Sequence, residues 1–76
     1  MTWEELKGKA NEIFKDLYNT SSEYLIGIYF ENCELYFKKD GNIEVEFSMG
    51  LYNIGEIVIS EGRTYEQMYQ IMLALR

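Results

Sequence analysis

The sequence predicts an α+β domain: an N-terminal helix, an antiparallel meander of three to four strands and a C-terminal helix (α-β-β-β-β-α), with both helices on one face of the sheet. Three observations carry this. A capping box opens a stretch of helical period near each end of the chain. Between these stretches apolar and polar residues alternate, and short turn-forming runs divide the alternating segments.

In the first element, Thr2 followed by Glu5 is the capping box, and Trp3, Leu6, Ala10, Ile13, Phe14 and Leu17 then recur at helical spacing. A helix is expected over 3–18, its polar face nearly neutral because Glu5 and Lys9, and Glu12 and Lys15, fall at helical spacing with opposite signs. The run "NTSS" at 19–22 breaks that period. "EYLIGIYF" then reads as a strand with Tyr24, Ile26, Ile28 and Phe30 on one face. A two-residue turn at Glu31 and Asn32 pairs Ile28 with Leu35 and Ile26 with Phe37, which keeps the apolar residues together. Parity also selects the next loop. A two-residue Asp40–Gly41 turn would set Phe37 opposite Glu44, whereas a three-residue loop, Lys39 to Gly41 with a left-handed glycine, sets Phe37 opposite Ile43 and Leu35 opposite Val45. A fourth strand is expected at 55–60, after a connection in which Gly50 and Asn53 permit a turn. Thr64 and Gln67 form the second capping box, and Met68, Ile71, Met72 and Leu75 form the stripe of a helix over 65–75. Tyr65, Tyr69 and Leu73 lie off that stripe. Either the two helices bury them against each other, or they form the seam of a homodimer.

Seventy-six residues make one domain, 1–76, with a small core. The hydrophobic fraction of 47% exceeds that of a disordered acidic chain, so folding is expected. A lone Cys33, no charged-then-apolar leader and no apolar run near the ~18–20 residues of a membrane span lead to the expectation of a reducing cytoplasm. Thirteen acidic against seven basic residues give a net charge of −6 with no histidine, which disfavours nucleic acid and anionic membranes as direct ligands and favours a basic protein partner.

Catalysis is not expected. The chain is too short to enclose a substrate beside its core, Cys33 has no histidine to activate it and reads as a small core residue, and no cofactor motif occurs. No metal site is expected either: Asp40, Asn42 and Glu44 alternate oxygen ligands but lack the remainder of a calcium loop. The informative pattern is "DGNIEVEFS", where Ile43, Val45 and Phe47 alternate with Glu44, Glu46 and Ser48. Parity gathers Glu34, Tyr36, Lys38, Glu44, Glu46 and Ser48, joined by Tyr29 and Glu56, on the face opposite the core. Glu44 and Glu46 are then about 6.6–6.8 Å apart, a spacing of the order of successive phosphates on a nucleic-acid strand. Glu34 falls opposite Glu46, a like-charge pairing that destabilises a sheet. The bland reading is that a sheet with one wet face needs polar residues there, and that charge prevents edge aggregation.

A small, proline-free, acidic domain with an acidic face built from Tyr29, Glu31, Glu34, Tyr36, Glu44, Glu46 and Glu56 resembles the phage-encoded DNA-mimic inhibitors, both those that block histone-like HU proteins and some anti-CRISPR proteins. The resemblance is one of type, without a shared signature run. It implies a host nucleic-acid-binding target, HU-like by preference, whose lysines and arginines the acidic face occupies while tyrosines add apolar contact. Lys38 and Lys39 beside the face depart from that pattern. Two other classes fit the same features: an immunity protein that neutralises a basic toxin or nuclease, and a homo-oligomeric module that works through the apolar surplus of the last helix.

Overall fold

The computed structural model describes residues 1–49 and 52–76. Helix α1 spans Trp3–Ile13, followed by β1 (Tyr18–Ser21), β2 (Leu25–Tyr29), β3 (Cys33–Lys38), β4 (Ile43–Met49), β5 (Tyr52–Ser60) and α2 (Tyr65–Leu75). The strands form one antiparallel sheet in sequence order. Both capping boxes form: Thr2 Oγ1 accepts from the Glu5 amide at 3.1 Å, and Thr64 Oγ1 accepts from the Gln67 amide at 3.1 Å.

The registers chosen by parity are present. Ile28 faces Leu35 and Ile26 faces Phe37, and across the next hairpin Phe37 faces Ile43 and Leu35 faces Val45. Lys38 closes the three-residue loop by donating to the Asn42 carbonyl at 2.8 Å, and Gly41 adopts φ 100°. A side chain at Gly41 would also press against the backbone of Gly62 and Arg63, the segment leading into α2. Asp40, weighed above as a metal ligand, instead accepts the Asn42 amide in a local turn at 3.1 Å.

Three elements differ from expectation. Helix α1 ends at Ile13 and not at 18, because Asn19 Nδ2 donates to the carbonyls of Phe14 (2.9 Å) and Leu17 (3.0 Å), satisfying acceptors that the helix end leaves open. Leu17 therefore lies outside the helix and is exposed. The run read as a breaker is largely strand β1, giving five strands where three to four were expected. It joins β2 through a tight turn in which Ser22 Oγ accepts the amides of Tyr24 and Leu25. Tyr24, expected on a strand face, sits in this turn and is exposed. Finally, β5 starts at Tyr52, so Asn53 belongs to the strand; Gly50, the other residue expected to permit a turn, lies outside the described residues.

The core lies between one sheet face and the two helices. Trp3, Leu6, Ala10 and Phe14 of the α1 segment meet Ile26, Ile28, Leu35, Phe37 and Ile43 of the sheet and Met68 and Met72 of α2. Trp3 satisfies its indole N–H on the Ser22 carbonyl at 3.1 Å, and its ring lies 5.5 Å from that of Tyr65. Tyr65 and Tyr69 pack half-buried against this core, and Leu73 is half-buried. Leu75, expected in the buried stripe, is exposed at the end of α2. Cys33 is half-buried. Among the described residues no helix is long and apolar enough to cross a membrane.

Candidate functional site

The sheet face away from the helices is organised in rows that run across the strands. Antiparallel pairing aligns Tyr18 with Tyr29, Tyr29 with Glu34, Glu34 with Glu46, and Glu46 with Glu56. One row thus crosses all five strands, two tyrosines leading into three glutamates, each neighbour about 5 Å from the next at the backbone. The adjacent row runs Thr20, Gly27, Tyr36, Glu44 and Val58.

The tyrosines pack edge to face along this surface. The ring centroids of Tyr18 and Tyr29 are 5.0 Å apart, and those of Tyr29 and Tyr36 are 6.3 Å apart. Gly27 makes room for them: a Cβ there would lie 3.2 Å from Thr20 Oγ1, 3.3 Å from the Tyr36 ring and 3.4 Å from the Tyr29 ring. The absence of a side chain in the middle of β2 therefore lets the edges of the Tyr29 and Tyr36 rings approach the strand backbone.

Tyr36 joins the two halves of the face by donating its hydroxyl to Glu34 Oε2 at 3.2 Å. Burial, together with the negative charges of Glu34 and Glu46, pushes the Tyr36 phenol well above its ordinary pKa. The glutamates are not equivalent. Glu44 forms an ion pair with Lys38 at 2.7 Å, its side chain only 13% exposed, and the hydrogen bond to Glu44 raises the Lys38 pKa. Lys38 thus offsets the charge of Glu44, and its field also reaches Glu56, while Glu34 and Glu46 act together on the Tyr36 phenol. Among the described residues no grouping of three or more carboxylates or thiolates has a geometry that holds a metal ion.

Of the residues assigned to this face from sequence, Tyr29, Glu34, Tyr36, Glu44, Glu46 and Glu56 share it. Glu31 lies in the β2–β3 turn, exposed and off the ladder. The side chain of Ser48 lies outside what is described. Sequence reasoning missed Tyr18, placed at the end of a helix, and the seating role of Gly27. Alternation of Tyr18 with Thr20 was the available signal for the first, but two residues are too few to distinguish a strand from a turn. No protein-family model matches the chain, and neither the curated proteins nor the solved structures searched contain a match to it.

Proposed function

We propose that this protein is a non-enzymatic acidic inhibitor that mimics DNA and occupies the DNA-binding surface of a basic nucleic-acid-binding protein. The observation that carries the reading is the in-register row Glu34, Glu46 and Glu56 beside the packed tyrosines. Like charges directly across a sheet are unfavourable, and a lysine- or arginine-lined groove would relieve that repulsion while the ring faces and edges supply contact at low conformational cost. Inhibition is by occupancy and requires no bond to be made or broken. The resemblance to small acidic DNA mimics makes an HU-like nucleoid protein the first target to examine.

The test is binding of a purified HU-like protein to the chain and to its Glu46→Lys/Glu56→Lys variant, with circular dichroism to verify the fold. Binding should weaken by at least about tenfold in the variant and fall with added salt. Binding that ignores both changes would remove the acidic face as the site.

A further inference from the structure

The two edges of the sheet are built differently. β1 is short and polar, Tyr18–Ser21. β5 runs nine residues and exposes apolar side chains on both faces: Ile57 (52% exposed) on the helix side, where it pairs with Val45, and Val58 (45%) on the outer side, where it pairs with Glu44. Ile59 (53% exposed) borders an apolar groove of about 370 Å³ with Phe30, Cys33, Val45, Ile71 and Leu75. The run Ile57-Val58-Ile59 has the two-sided apolar character of an interior strand, yet it stands at an edge without the lysine or proline that commonly protects one.

We infer that β5 is the association edge of a homodimer, in which Gly55–Ile59 pairs antiparallel with the same segment of a second copy about a two-fold axis at Ile57. The backbone pattern permits this register. Lys38 bonds to Asn42, so along β4 residues 44 and 46 bond to β3 and residues 45 and 47 turn to β5; Ile57 and Gly55 face them. The amides and carbonyls of Glu56 and Val58 then point outward, away from β4. A two-fold axis at Ile57 sets Glu56 of one copy against Val58 of the other, where these outward groups can exchange hydrogen bonds.

The side chains favour a second copy as the occupant. The register sets Ile57 against Ile57, the glycine at 55 against the bulky Ile59, and no carboxylate directly opposite another. Its residues Gly55 to Val58 lie between two irregularities in the β4–β5 ladder, where Ile54 and Ile59 are extra residues, so the pairs next to the axis keep matched faces and only the Gly55–Ile59 pair at each end meets a bulge. A standard interface takes about 800 Å² from each partner, roughly one sixth of the 5062 Å² surface of this chain. Five paired residues fall short of that area, and the second copy supplies more by bringing its own Ile57 and Ile59 to the open side of the groove.

Pairing through β5 places the outer faces of both copies on the same side, with the two Glu56 residues diagonal to each other. Added salt should therefore strengthen the dimer by screening that repulsion, whereas it should weaken binding to a basic partner, and the two claims fail separately. The experiment is light scattering with the isolated protein at high micromolar concentration, together with hydrogen exchange. The expected mass is twice that of the 9.0 kDa chain, with the Glu56 and Val58 amides protected in a concentration-dependent way. Ile57→Lys, which would place two cations face to face, should return the mass to that of a monomer, and Val58→Pro, which removes an outward amide, should do the same. A monomer mass for the unaltered chain would overturn the inference. So would a dimer in which the Glu56 and Val58 amides exchange freely, a result that needs no variant to fold.

Discussion

Glu34 on β3 lies directly opposite Glu46 on β4, and Glu46 in turn lies opposite Glu56 on β5. Each pairing sets two glutamates directly opposite one another, about 5 Å apart at the backbone, within the screening length of about 8 Å at physiological salt. Removing the middle charge should therefore stabilise the fold. Glu46→Gln is expected to raise unfolding stability by about 0.2–1 kcal/mol, less at high salt, while weakening a basic partner. Urea melts at two salt concentrations test the first half, and a destabilised variant would contradict it.

The elevated Tyr36 phenol gives an alkaline signature. In the unfolded chain a tyrosine ionises near pH 10.0, whereas burial and the charges of Glu34 and Glu46 hold Tyr36 protonated to higher pH in the fold. The unfolded state thus loses its proton first as the pH rises. Stability is full below that value and declines above it until the folded phenol ionises as well. Tyr36→Phe removes this contribution, so its melting temperature should fall less than that of the unaltered chain above pH 10.0, as thermal melts across the alkaline range would show.

At the acid end, the Thr2 amide, which donates to Glu5 Oε1 at 3.0 Å, and the nearby Thr2 hydroxyl lower the Glu5 pKa below the ordinary 4.5. The unfolded chain therefore takes up this proton first as the pH falls. The contribution of the cap is complete above about pH 4.5 and is lost as the pH drops through the lower folded value. Glu5→Gln can keep the hydrogen-bonding shape without the titration, so its melting temperature should vary less over that window.

The seat of the tyrosines is open to a steric test. Gly27→Val puts methyl groups where Thr20 and the Tyr36 and Tyr29 rings already approach a Cβ to within 3.4 Å. A cost of about 1–3 kcal/mol is expected, with loss of the edge-to-face contact between Tyr29 and Tyr36, readable in near-ultraviolet circular dichroism. A variant with unchanged stability and unchanged aromatic signal would show that the rings do not depend on the glycine.

The hairpin registers were legible because period-two alternation and loop length leave one arrangement that keeps Ile26, Ile28, Leu35, Phe37 and Ile43 together, and that register aligned Glu34 with Glu46 in advance. The capping boxes were legible as local chemistry. The β1 strand was not, since Tyr18, Asn19, Thr20 and Ser21 carry turn-like polarity and owe their extended form to pairing with β2. The end of α1 was hidden for a related reason: Leu17 continues the apolar period, but the Asn19 side chain, two residues on, competes for the carbonyls. The third glutamate of the row could be placed on the face by parity, but its alignment depends on a ladder that shifts register on either side of it.

Occupancy of a DNA-binding surface by the Glu34–Glu46–Glu56 face can be followed by titrating the protein into a preformed complex of a purified HU-like protein and a fluorescent duplex. The duplex should be released, with the release reversed by excess unlabelled DNA because both ligands need the same lysines and arginines, and reduced in a Glu46→Lys/Glu56→Lys variant. A stable ternary complex, or a duplex that stays bound at saturating protein, would contradict it.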